Sequence, residues 1–240
     1  MLTFIYYGSL IILIPGLILS VIAQIMIKAT YSKYSRVQSR SGLTSEQISR
    51  ILLDGNDCFS VGITRISGDL TDNYNPKTDV LSLSDSVYGS SSVAAIGVAA
   101  HECGHACQKH GGSLLLGLRS VLVPITNIGS RMAVPVAVIG VIIEFISGAE
   151  GIGPYIIALG IFLYSLSTIF ALVTLPVEIN ASNRAVKMLR SGGFLQADEL
   201  RGAKKVLTAA AMTYVASLVM SFLYLLRFVG ILSSFRRKND

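Results

Sequence analysis

The sequence predicts a mainly α, integral membrane helical protein of about four transmembrane helices, with a small α+β part outside the apolar spans. Three observations carry this. Hydrophobic residues make up 52% of the chain and charged residues only 14%. An average soluble domain carries about 25% charge, so several segments must face lipid. Four apolar stretches, residues 2–27, 114–146, 155–175 and 206–232, each reach the roughly 20 residues that cross a hydrocarbon core. Between the first two lies segment 28–113, too polar to span and too long to be a connector.

The first stretch has no basic n-region and no small-residue cleavage site, and Lys28 follows it. It reads as a retained anchor and not as a cleaved signal peptide. In segment 28–113, Thr44-Ser45-Glu46-Gln47 is a capping-box pattern that opens a short amphipathic helix closed by Gly55. From Val61 to Leu83 the pattern changes to strand-like pieces around the turn chemistry of Asp72-Asn73-Tyr74-Asn75-Pro76. Thr78 to Ser84 alternates apolar and polar residues as an edge strand would, and such an edge offers an extended peptide a place to pair. Ser91 to Gln108 is a small-residue helix stopped by Gly111-Gly112.

The second stretch contains Pro124 and Pro135, so a kinked or tilted helix is expected. After the third comes segment 176–205, read as a helix bearing Glu178 and then a basic loop around Gly192-Gly193. The fourth stretch completes a single domain without internal repeats.

The formal charge is +6. The basic residues flank apolar spans, which points to a membrane surface and not to nucleic acid. Lys28, Lys33, Arg36 and Arg40 follow the first stretch, and Arg184, Lys187, Arg190, Arg201, Lys204 and Lys205 lie between the third and fourth. The positive-inside rule then places both polar segments in the cytoplasm of a multi-pass cell-membrane protein. Arg236-Arg237-Lys238 runs against this: either the tail loses to the larger internal charge, or the last stretch does not cross fully. Cys58, Cys103 and Cys107 are an odd set without framework spacing, so they are expected reduced and buried.

The chemistry centres on His101-Glu102-Cys103-Gly104-His105. Histidines at i and i+4 project from one helix face and can grip one metal ion. Glu102 is then placed to take a proton from a water on that ion, the HExxH arrangement of zinc peptidases. Ala94, Ala95, Ala99 and Ala100 make the helix close-packed, where two histidines and a glutamate without a task would be unwelcome. Gly104 admits another backbone. Zinc demands a third protein ligand and one open position. A histidine closely following the helix would need His at position 111 and Gly at 108, where this chain has Gly111 and Gln108. His110 lies about 140° around the helix from His105 and points away. The other solution is a Glu from a later helix, and Glu178 is the candidate. A lone Glu at such a helix end is ordinarily a solvated boundary residue, but the demand for a third ligand favours it here. Glu144 and Glu150 fall at the opposite end of the membrane hairpin, and Asp198 and Glu199 stay as weaker rivals. Cys103 sits about 200° from His101 and Cys107 shares its face, so both read as small buried hydrophobes. For an oxyanion-stabilising donor, Arg184 and Tyr214 both remain open.

Ala99-Ala100-His101-Glu102-Cys103-Gly104-His105-Ala106, followed by Glu178-Ile179-Asn180-Ala181-Ser182-Asn183-Arg184-Ala185, resembles the bacterial "putative neutral zinc metallopeptidase" family of membrane proteins. Gly68-Asp69-Leu70-Thr71-Asp72-Asn73-Tyr74-Asn75-Pro76 adds to the likeness, which covers nearly the whole chain. More distantly the chain is similar to HtpX-type and CAAX prenyl protease membrane gluzincins, which carry Glu-x-x-Ala-Asp after a transmembrane hairpin. The resemblance implies a zincin-like catalytic part in which His101, His105 and Glu178 hold one Zn2+ per chain and Glu102 is the general base. It implies a membrane-embedded zinc endopeptidase that hydrolyses peptide bonds in membrane or membrane-proximal polypeptides. Ser182 stands where the distant relatives have an Asp that would orient a ligating His, with Asn180 and Asn183 as alternatives for that role. The competing reading is a non-catalytic zinc-binding membrane scaffold, a pseudoprotease or carrier. Glu102 separates the two, because a carrier needs no base beside its first ligand, and spans nearly free of ionisable groups argue against transport.

Overall fold

Among the described residues of the computed structural model, four helices are long and apolar enough to cross a membrane, in a mainly α chain with a small three-stranded sheet. The structure describes residues 10–147 and 151–236. Residues 2–9 of the first expected span, Glu150, and Arg237 and Lys238 of the tail lie outside the described residues. The elements run α1 (Ile14–Tyr34), α2 (Ser45–Asp54), β1 (Gly62–Ile66), β2 (Asn73–Asn75), β3 (Val80–Ser84), α3 (Val93–His110), α4 (Leu114–Ser147), α5 (Gly153–Ser191) and α6 (Ala197–Arg236). They form two compact units.

The membrane unit takes the chain up to Ile22, Leu118–Leu175 and the chain from Tyr214 onward. Its outer faces are apolar: Leu17, Ile18, Ile125, Ile128 and Leu159 are all exposed, the reverse of a soluble surface. Its packing uses small residues, as helices in lipid do. A Cβ added at Gly140 would lie 2.7 Å from the Ile157 nitrogen, and one at Gly160 would lie 2.9 Å from the Ala133 carbonyl oxygen. α4 runs through both Pro124 and Pro135 as one helix.

The polar unit comprises Ala23–Gly117 and Pro176–Thr213. Its core gathers Leu53, Leu81, Leu83, Ile96 and Leu189, all fully buried. At the start of α2 the Gln47 side chain accepts from the Thr44 N–H at 3.0 Å, the capping interaction expected from the sequence. Ser92 caps α3 by accepting from the Ala95 N–H at 3.2 Å. Gly111 closes that helix and Gly112 follows at φ +67°, a left-handed conformation that favours glycine. Cys58, Cys103 and Cys107 are free and buried, with 4.0 Å between the sulfurs of Cys58 and Cys107.

Two local expectations change. β3 is not an edge strand but the middle one, in the order β1-β3-β2. It pairs in parallel with β1 and antiparallel with β2, where Tyr74 stands opposite Leu81. The stretch read as a turn, Asn73–Asn75, is the strand β2, and the turn sits one step later at 76–79. Three residues are too few to show a periodic pattern, so the partner of β3 was invisible and its edge appeared free. With both sides paired, β3 has no edge to offer a peptide.

The second change is in the basic stretch. α5 continues unbroken through Pro176 to Ser191, and α6 begins at Ala197, so most of the expected basic loop is helix. The turn between them is short: the Gly192 N–H returns to the Met188 carbonyl at 3.0 Å, and Gly193 takes φ +66°.

Candidate metal centre

α3 approaches α5 closely because glycine stands at the crossing. A Cβ at Gly104 would lie 2.6 Å from the Ala181 carbonyl oxygen, well inside van der Waals contact. The flanking Ala99, Ala100 and Ala106 are essentially fully buried, so small side chains extend the close approach along the helix. The histidines on either side of Gly104 are thereby set against the turns of α5 that surround Ala181.

Glu178, His101 and His105 meet there. Glu178 Oε2 is 3.1 Å from His101 Nε2 and 3.4 Å from His105 Nε2. One ligand atom from each residue lies within 4.8 Å of the others, as a shared ion requires. Donors about 2.0 Å from a tetrahedral zinc stand about 3.3 Å apart, the edge of that tetrahedron. The two rings are nearly perpendicular, at 84°. Glu178 is 2% exposed, while the His101 side chain keeps 16%, so the cluster is open toward solvent on the His101 side.

The remaining ring nitrogens are also engaged. His101 Nδ1 lies 3.1 Å from Ser182 Oγ, and His105 Nδ1 lies 2.9 Å from Gln108 Oε1. Gln108, 1% exposed, donates its amide to the Val177 carbonyl at 2.8 Å and to Asn180 Oδ1 at 2.9 Å. A carbonyl only accepts, so the amide orientation is determined and Oε1 must face the imidazole. His105 Nδ1 is therefore the donor. In neutral His105 the Nε2 lone pair then faces the Glu178 carboxylate, acceptor against acceptor. Such an arrangement needs a proton or a cation between its members. Burial alone would lower the His105 pKa, but the hydrogen bond to Glu178 and the charges of Glu102 and Glu178 more than offset it and leave it raised. A divalent ion meets the same demand without the proton. The donor set fits one.

Glu102 sits on the same helix, only 9% exposed, and has no hydrogen-bond partner among the described residues. Asp72 of the loop before β2 holds the sheet by accepting from the Ser84 N–H at 2.8 Å and the Ser84 hydroxyl at 2.9 Å. Burial raises the Asp72 pKa, with a smaller contribution from the charge of Glu102.

The rivals are committed elsewhere. His110 Nε2 lies 3.1 Å from Asp79. Asp198 pairs with Arg40 at 2.8 Å, and Glu199 accepts from the backbone N–H groups of Arg40 and Gln196. Glu144 lies in the membrane unit, against Gly153. Cys103 and Cys107 face the hydrophobic core; burial pushes the Cys107 thiol up to about 12, far from the thiolate a metal would need. Of the two oxyanion candidates, Arg184 donates from Nε to Asn180 Oδ1 at 2.9 Å, and Tyr214 belongs to the membrane unit. Gln108 was missed as a partner of His105. Its signal was its place three residues along the helix, on the same face. Of Ser182, Asn180 and Asn183, it is Ser182 that lies against His101, and Asn180 accepts from Gln108.

A family model described as "Putative neutral zinc metallopeptidase" matches residues 9–233. Over 226 residues the chain is 40% identical to the "Putative membrane protease YugP" of Bacillus subtilis (strain 168), an alignment covering 94% of this chain and 97% of that protein. No solved structure matches the chain.

Proposed function

The chain belongs to the "Putative neutral zinc metallopeptidase" family, and we propose that it is a membrane-embedded, zinc-dependent endopeptidase. The observation that carries the reading is the convergence of two imidazole nitrogens on one buried carboxylate oxygen, at 3.1 and 3.4 Å, beside an uncommitted glutamate. His101, His105 and Glu178 would hold the ion, the number of protein ligands that a catalytic zinc takes. Zinc, when bound, lowers the pKa of its water toward about 7 and polarises the scissile carbonyl. Glu102 accepts the proton of the attacking water and passes it to the leaving amine. Ser182 and Gln108 keep the imidazoles turned toward the ion. Membrane or membrane-proximal polypeptides are the substrates, and the distribution of lysine and arginine supports a site on the cytoplasmic side of the cell membrane.

The test uses detergent-purified protein, its zinc content by mass spectrometry, and hydrolysis of denatured casein. Wild type is expected to carry one zinc per chain. Glu102→Gln is expected to retain that zinc and to lose cleavage by about 10²–10⁴-fold. Equal cleavage by both proteins removes Glu102 as the base. Stoichiometric zinc with no hydrolysis by wild type favours the non-catalytic scaffold instead.

A further inference from the structure

Arg131 stands in the membrane unit between Gly129 and Ala133, which are both buried, yet its own side chain is exposed. Its neighbours fix its level against α5. A Cβ at Gly129 would lie 3.2 Å from the Leu163 carbonyl oxygen, and one at Gly160 would lie 2.9 Å from the Ala133 carbonyl oxygen. Arg131 is therefore level with Ile161 and Phe162. α5 carries no charged residue between Gly153 and Glu178. The level of Arg131 is about 13 Å along that helix from Gly153 and about 25 Å from Glu178, well inside the hydrocarbon. Asn127, one turn earlier on the same face of α4 and nearer the middle, is exposed as well. Neither side chain has a hydrogen bond or ion pair among the described residues. Around them the face is apolar, with Val123, Val134 and Val138 exposed. Pro135 adds an acceptor, because it has no N–H to return to the Arg131 carbonyl. Arginine keeps its charge in proteins, and a charge at membrane depth pairs with another group or faces water. Long side chains escape to the headgroups near helix ends, but the short Asn127 side chain cannot. The partner of this face has to come from outside the chain.

We propose that the Asn127–Arg131 face of α4 docks the transmembrane helix of another protein, one that carries Asp or Glu near the middle of its span. Charge complementarity selects this occupant. Guanidinium N–H groups only donate, and a carboxylate accepts two of them at once. A second copy of this chain offers no such group at the right depth. Glu144 is the only acid in the four apolar stretches, and it lies about 20 Å further along α4. Copies inserted in one direction would set Arg131 level with Arg131. A lipid phosphate belongs to the headgroup layer and not to this depth. On a docked helix the carboxylate meets Arg131, a neighbouring polar group meets the Asn127 amide, and apolar side chains pack on Val134 and Val138.

The test uses the full chain in phosphatidylcholine proteoliposomes and a synthetic leucine-rich single-span helix with either Glu or Leu at its centre. Energy transfer between dyes on the two reads their association. Wild type is expected to bind the Glu helix about tenfold more tightly than the Leu helix. Arg131→Leu is expected to abolish that preference, and Arg131→Lys to keep most of it. No preference in wild type, or an equal one in Arg131→Leu, overturns the docking face. Wild-type dimers that Arg131→Leu disperses would assign the face to a second copy, and a preference erased by added phosphatidylglycerol would assign it to a lipid headgroup. Either result overturns the proposed occupant. Circular dichroism checks that each variant is folded, and Arg131→Gln repeats the comparison if Arg131→Leu is not. None of these outcomes depends on peptide hydrolysis.

Discussion

Two stretches of the same helix, α5, treat their polar groups in opposite ways. Around Glu178 and Ser182 the polar atoms beside the two imidazoles are matched: Ser182 against His101, Gln108 against His105, and Val177 and Asn180 against Gln108. Around Ser167 and Thr174 buried hydroxyls stand without partners among the described residues. A saturated network holds its members in one geometry, which is what a metal requires of its ligands. One helix thus carries a preorganised centre and, in its apolar half, hydroxyls that belong to no such network among the described residues.

The sharpest way to break the saturated half is Glu178→Ala. Two imidazoles alone are a poor zinc site, so bound zinc measured after gel filtration is expected to drop well below one per chain, and casein hydrolysis to disappear. Full zinc content in this variant would remove Glu178 from the centre. Gly104→Ala acts on the crossing instead of a ligand. Its methyl group would collide with the Ala181 carbonyl at 2.6 Å, so α5 must move away from the histidines. Overpacking of this kind costs about 1–3 kcal/mol. A lowered melting temperature with weakened zinc binding is expected, and a variant unchanged in both would show that the two backbones are not in contact.

Gln108→Ala tests the bracing of His105. Loss of an outer partner typically weakens metal binding by about 10–100-fold, read here by competition with a zinc chelator while circular dichroism stays unaltered. Ser182→Ala is expected to do less, because Ser182 is partly exposed and water can replace its hydroxyl. Equal losses in the two variants would mean that burial does not rank these partners.

The smallest effect lies away from the centre, at Asp79. Burial would raise its pKa, but hydrogen bonds from Ser60, Tyr74, His110 and Lys109 more than offset this and hold the carboxyl well below the usual carboxylate range. A depressed folded-state pKa contributes stability above the unfolded value of about 4 and loses it as pH falls through the folded value. The melting temperature in detergent should therefore decline more steeply below about pH 4, and Asp79→Asn should flatten that decline. Asn suits the left-handed φ of +57° at this position, so the substitution isolates the charge. Identical pH profiles for the two proteins would remove Asp79 as a contributor.

Much of the architecture was legible in the residues because it depends on short windows. Apolar runs of span length, the cap at Thr44, the stop at Gly111-Gly112 and the shared face of His101 and His105 are set by helical geometry and local chemistry alone. Glu178 could be put forward because two histidines leave a zinc ion short of ligands. What no window contained was decided by packing. That β3 lies between two partners, that Gln108 braces an imidazole, and that Gly104 receives the Ala181 carbonyl all depend on which faces meet across long stretches of chain. A sequence states the period of each face. Only the folded chain states what each face is pressed against, because contact energies act between atoms that are near in space and not in order.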